Sequence, residues 1–256
     1  MADLGPIQMD EPEFPPLLTG RRIMAGHSLI EAAVAAAAGG ELGAGDALWN
    51  DDPARIELAI ILEPEVPLQQ AIQLLPLTMC AVGDCIGAMA PPQVGVMFRW
   101  PNTILVNGGD AGRVELVVSG DQPAGVPDWM IAFVSMRFRH EADGTEPGNL
   151  SGDVTALAEE GCEELTTIQI MESCARHFLT WLNIWQDDGF KPVHLNWLER
   201  VEGRGEPVRI IARDRALGSA TVLNLDEDGN LLVKDKAGKT LSLPLLDAVT
   251  LHQSQA

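Results

Sequence analysis

Positive charge is scarce in this chain. Seventeen lysines and arginines face 37 aspartates and glutamates over 256 residues, a formal net charge of −20. Sequence-independent binding to DNA or RNA needs basic side chains to displace counterions from phosphates, so no nucleic-acid partner is expected. Anionic membrane surfaces are disfavoured on the same ground, while a basic partner stays open. Cysteine is also sparse: Cys80, Cys85, Cys162 and Cys174 form no CxxC pair and no zinc-type spacing. Cys174 and His177 stand three apart on an expected helix and could share a metal, but a thiol on an apolar helix face is usually core packing. No basic leader with an apolar core and a cleavage site opens the chain, and no run approaches about 18 uninterrupted apolar residues. Internal repeats are missing too. These absences predict a cytoplasmic protein with reduced thiols and no membrane span.

What remains is ordinary globular material, 46% hydrophobic and 21% charged, long enough for one large domain or a domain plus a small module. The charge is unevenly placed. From Pro207 onward six basic residues balance six acidic ones, so the whole net charge lies in the first 206 residues. That shift, with Gly203-Arg204-Gly205-Glu206-Pro207, predicts a boundary near 204/205. Residues 1–18, rich in proline and acid, are expected to be an extended arm.

Ser28, with Glu31 three residues on, reads as a capping box before the helix formers of 32–38, and Gly39-Gly40 stop that helix. Arg55–Leu62 reads as a buried strand. Leu68, Ala71, Ile72, Leu75, Met79, Val82, Ile86 and Met89 form one helical stripe, with a kink or break expected at Pro76. Strands are expected at 94–99, 104–106, 113–118 and 130–139, and a helix from Thr166-Thr167. Four short β-like runs follow, near 207–212, 219–225, 230–235 and 239–245, with a turn at 226–230.

The densest signal is the stretch from Phe98 to Arg113. Trp100-Pro101-Asn102 makes a bend, and Asn107-Gly108-Gly109 between apolar runs is a hairpin signal, because the favoured two-residue turn needs positive φ at both central positions. Trp-Pro-Asn followed by this hairpin, with Gly112 opening the next strand, resembles the signature of the biotin–protein ligase and lipoate ligase family. The helical stretch 157–200 and the β-rich tail after about 205 are similar to the family's closing helices and small C-terminal β domain. The resemblance implies an α+β fold: a mixed β-sheet backed by helices over 19–204, as in class II synthetases, and a small SH3-like barrel over 205–256. It further implies ATP and magnesium as co-reactants, biotin or lipoate as substrate, and a lysine of a biotinyl or lipoyl carrier domain as acceptor. A homodimer is left open. Many biotin ligases also carry a winged-helix domain, for which this chain has no room, so a repressor role is not expected.

Arg99 occupies the family's basic position ahead of Trp-Pro-Asn, and Arg113, one residue beyond Gly112, is the other arginine that could supply a cation to the reaction. By the resemblance, Trp100, Pro101, Asn102, Asn107, Gly108 and Gly112 become ligand-binding residues. Each also has a structural reading: Arg99 as partner of a local acid, Trp100–Asn102 as a bend that packs the indole, Gly112 as a bulge. The pocket is expected beside these residues, with the loop from Gly39 to Leu48 over its mouth. Three departures bear on activity. The loop after the first helix keeps its glycines but carries Glu41 and Asp46 where the family has arginines, which repels phosphate. The hairpin lysine is replaced by Gly109 or Asp110. Thr103 stands where an acid normally follows Trp-Pro-Asn. Two readings follow: a divergent acyl ligase or transferase, or a ligase fold that acts as a ligand sensor or assembly partner.

Overall fold

The computed structural model describes residues 11–24, 26–140, 154–212 and 215–252. The first ten residues of the expected arm lie outside that range.

β3 (Arg55–Leu62) and β7 (Met130–Arg137) are almost wholly apolar and form the buried centre of the main sheet. Outward from β3 lie β2 (Asp46–Trp49) and β1 (Thr19–Arg22). Outward from β7 lie β6 (Gly109–Ser119), β5 (Thr103–Val106) and β4 (Val96–Arg99). A three-residue strand, numbered β12 in chain order (Thr250–His252), runs along the second half of β6. β1 with β2 and β12 with β6 are parallel and the remaining pairs antiparallel, so the sheet is mixed, as the sequence predicts. Asn107 and Gly108 turn β5 into β6 with φ of 48° and 89°, the positive pair that such a turn needs.

Helices cover one face fully and the other in part. On the full side are α2 (Leu68–Ala71), α3 (Leu74–Met89), α4 (Thr167–Asp188) and α5 (Lys191–Arg200). The stretch 68–89 is long and apolar enough to cross a membrane by composition, but it is the core helix of this domain, buried on nearly every side. The break falls just ahead of Pro76, which sits in the first turn of α3 where no backbone N–H is required. Thr166 caps α4 in a complete capping box: its hydroxyl accepts from the Gln169 N–H at 3.2 Å, and the Gln169 side chain accepts from the Thr166 N–H at 3.0 Å. On the other face lies α1 (Leu29–Ala38), capped by Ser28. Its Ala33 and Ala37 let the backbone lie close to the sheet.

The tail folds into an open antiparallel sheet of β8 (Pro207–Ala212), β9 (Arg215–Leu225), β10 (Leu231–Asp235) and β11 (Thr240–Leu243), ordered β11-β10-β9-β8. Asp226 fixes its central turn by accepting from the N–H groups of Asp228 and Asn230. The chain then makes a 3-10 turn over Leu245–Ala248 and returns as β12 to the main sheet.

Candidate ligand-binding site

Successive side chains of a strand point to opposite faces, so strand register sorts the face beneath α1 into rows. One row holds Leu48, Ala59, Phe133 and Glu115, and the next holds Ile61, Ile131 and Val117. The apolar members pack under Leu29, Ala33 and Ala37 of α1. The row on the other side of Leu48 is polar. Asn50, just past the end of β2, donates to Glu57 of β3 at 2.8 Å; Glu57 lies opposite Ser135, and Ser135 opposite Arg113. Thr103 of β5 completes the row opposite Arg113.

Local chain geometry explains why this row lacks a helical cover. The Ile23 N–H donates to the Trp49 carbonyl, which brings the chain to the polar end of β2 before α1 begins. From there α1 runs away over the apolar rows, for ten residues or about 15 Å. Its N-terminus therefore opens toward the polar row.

The row is an ion-pair network. Arg55 donates to the Ser135 hydroxyl at 3.2 Å and lies 3.5 Å from Glu57. Arg113 meets Glu115 at 2.6 Å with about two thirds of its side chain exposed. Arg137 holds the Asp110 carboxylate at 2.6 Å and the Thr155 carbonyl at 3.2 Å. Asn50 and Ser135 are buried and satisfied. Asn102 gives its carbonyl to the Val114 N–H at 2.9 Å, while its side-chain amide bonds no described residue.

Of the residues proposed from sequence, the fold brings Arg113 to this row with Gly112 next to it, and the Asn102 backbone to the neighbouring Val114. Gly112 sits beside the bulge in the β5–β6 ladder, where a Cβ would fall 2.3 Å from the Ser135 carbonyl oxygen, so neighbouring backbone alone requires glycine there. Trp100 faces the helical core instead, edge-on to Trp197 at 6.1 Å, with Phe98 stacked on the same indole at 6.3 Å. The Trp100–Pro101 peptide bond is cis. Arg99 is engaged by both carboxylate oxygens of Glu202, at 2.7 and 2.8 Å. Asn107 and Gly108 form the hairpin tip, where the Asn107 side chain accepts from the Gly95 N–H and donates to Glu160.

The loop expected over the pocket mouth lies elsewhere. Gly45 donates to the Ile61 carbonyl, four residues along β3 from Glu57 and so about 13 Å from the polar row. Residues 46–49, read from sequence as part of that loop, are strand β2, which carries the chain across the sheet. Asp46, at the start of β2, is tied to Arg21 at 2.9 Å. The connection that does border the row is the short turn from Asn50 to Ala54, and it too is acidic: Asp51 pairs with Arg22, and Asp52 caps the Ala54 N–H at 2.8 Å. Asn50, Arg55, Glu57, Ser135 and Arg137 were missed from sequence. Their signal was a lone polar residue inside an apolar strand, as in Ile56-Glu57-Leu58 and Val134-Ser135-Met136.

Thr103 offers no carboxylate at the position that follows Trp-Pro-Asn, which leaves Glu57 in the row and Glu115 at Arg113 as its carboxylates. Among the described residues no three His, Cys, Asp or Glu side chains gather to hold a metal. The thiols lie in the helical layer. A hydrogen bond between Cys85 and Cys174 lowers the first and raises the second, and burial pushes Cys80 and Cys162 up. On the other side of α1, between it and β12, runs a groove of about 530 Å³ that begins at Glu115.

A half-covered mixed sheet, with a polar row bordered by a helix N-terminus, defines an α+β domain with a candidate small-molecule site on its sheet. Residues 14–199 match the biotin/lipoate A/B protein ligase family. A biotin–[acetyl-CoA-carboxylase] ligase of Paracoccus denitrificans is 29% identical over 182 residues, covering 70% of this chain and 74% of that protein. The bifunctional ligase/repressor BirA of Bacillus spizizenii is 26% identical over 195 residues, 75% of this chain but 57% of its own length. Among solved structures, a biotin protein ligase-like protein of unknown function from Silicibacter sp. TM1040 superposes with a TM-score of 0.83 at 32% identity, over 94% of this chain and all of that one. Biotin protein ligase of Aquifex aeolicus, in complex with biotin and ATP, shares the fold at a TM-score of 0.66 and 15% identity, over 89% of this chain and 95% of that one. The chain belongs to the biotin/lipoate A/B protein ligase family.

Proposed function

We propose that the polar row is the seat of an acyl ligand with a carboxyl end, of the biotin or lipoate type, and that its activation by ATP is weak or altered. The observation that carries the reading is Arg113 itself, about two thirds exposed at the end of the polar row. Its guanidinium holds Glu115 near the surface and can exchange that carboxylate for a ligand's. Asn50, Glu57 and Ser135, held by one another and by Arg55, supply fixed donors and acceptors across the row. In an active enzyme the acceptor is a lysine of an acyl-carrier domain.

A second reading has its own support. Arg55, Arg113 and Arg137 are each matched by a carboxylate, and the adjoining turn adds Asp51 and Asp52. No surplus cation remains among these groups to meet a triphosphate, which favours a ligase fold that senses a ligand or joins an assembly. Biotin- or lipoate-driven pyrophosphate exchange tests the two. Robust exchange that disappears in Arg113→Ala establishes an active ligase with relocated cations. Acid binding without exchange establishes the sensor reading.

A further inference from the structure

The cysteines have no part in that reading, and two of them face each other across the helical layer. Cys85 on α3 and Cys174 on α4 are both buried, and their side chains share a hydrogen bond. A second contact holds the same register: the Cys85 thiol donates to the Ile170 carbonyl at 3.5 Å, one turn ahead of Cys174 on α4. The buried Ser173 hydroxyl is a further partner of the Cys85 sulfur. The bond with Cys174 lowers the Cys85 thiol most, and Ser173 and Arg176 add to it, against burial and the charge of Asp84. Cys80, Cys162 and Cys174 are all raised, so Cys85 is the thiol most disposed to ionise, and the thiolate is the nucleophilic form.

Cys85 also borders a small cavity of about 10 Å³, between α3, the 3-10 turn over Leu157–Glu160 and the first turn of α4. Its lining is apolar apart from the thiols of Cys85 and Cys162. The space suits a water-sized molecule, which admits a small neutral oxidant and shuts out a bulky one. Cys80 lies apart, its thiol donating to the Val193 carbonyl of α5 at 3.7 Å. Among the described residues no second thiol bonds Cys80 or Cys162.

We propose that Cys85 and Cys174 are an oxidation site, at which hydrogen peroxide forms a disulfide that staples α3 to α4. The Cys85 sulfur attacks one peroxide oxygen and the O–O bond breaks. The departing oxygen takes the Cys85 proton and leaves as water, so that Cys85 becomes a sulfenic acid. The Cys174 sulfur then attacks the Cys85 sulfur, the S–O bond breaks, and the hydroxyl leaves with the Cys174 proton as a second water. Two thiols give up two electrons and one peroxide accepts them. The site does not depend on Arg113 or on any acid bound there. Peptide mapping without reductant, on the folded protein treated with peroxide, tests it. The expected product is one linked pair of peptides carrying Cys85 and Cys174, with Cys80 and Cys162 still open to alkylation once the chain is unfolded. Cys174→Ser should stop at a sulfenic acid on Cys85, captured by dimedone, and Cys162→Ser should form the link as the wild type does. Four free thiols after treatment overturn the proposal, as does a link from Cys85 to Cys162 or a link that forms only in denaturant. The wild-type map decides the matter alone if the Cys174→Ser variant fails to fold.

Discussion

Two halves of one sheet face differ in their chemistry although the same four strands build them. Under α1 the rows Leu48–Ala59–Phe133 and Ile61–Ile131–Val117 are apolar and sealed by a helix of small residues. One row further along, the same strands present Asn50, Glu57, Ser135 and Arg113, and no helix among the described residues covers them. The strands are continuous across the boundary, so the change is set by where α1 begins. Buried polar groups on a central strand persist only when their hydrogen bonds are made, at a cost of about 1–3 kcal/mol for each one left unpaired. The network of Asn50, Glu57, Arg55 and Ser135 meets that demand and leaves Arg113 facing outward. One half of the face holds the domain together and the other is available for a ligand.

Substitutions can break this division or sharpen it. The largest effect is expected from Phe133→Ala in the covered half: a loss of about 3–5 kcal/mol in urea unfolding, with acid affinity of the folded protein unchanged. A parallel loss of affinity would erase the boundary between the halves. Asn50→Leu, on the polar side, should cost about 1–3 kcal/mol because Glu57 loses its donor, and should also weaken ligand binding. Arg113→Ala should move stability by no more than about 0.5 kcal/mol, since its pair with Glu115 is largely exposed, yet lower acid affinity tenfold or more. The smallest effect is expected from Asp52→Asn. The amide oxygen can still cap Ala54, while removal of one charge near an approaching phosphate should raise ATP affinity about fivefold, on the order of 1 kcal/mol in a water-like dielectric, as read by nucleotide titration.

The elements set by local chemistry were legible in the sequence. Asn107-Gly108 gave the hairpin, Thr166 the start of α4, and the apolar run Arg55–Leu62 the central strand, because each signal lies within a few residues. β2 was not legible. Four residues, Asp46–Trp49, follow a glycine-rich turn and form a strand only by lying between β1 and β3. Missing β2 placed the loop after α1 over the site, when the intervening strand takes it to the opposite end of the sheet. β12 escaped for the same reason, being three residues whose partner strand lies more than 130 positions earlier. Arg113, which the fold places opposite Ser135 on the polar row, was singled out through the hairpin. Trp100, in the same motif, faces the helical core, because a sequence motif does not distinguish the two faces of a sheet.

The central claim is that a carboxylic acid binds at Arg113 without help from ATP. Titration calorimetry of biotin and lipoate against the wild type and Arg113→Ala, each with and without ATP, tests it most directly. The account predicts binding of at least one acid to the wild type, at least a tenfold loss in Arg113→Ala, and little change on adding ATP. Undiminished binding to Arg113→Ala, or binding that requires ATP, would contradict it.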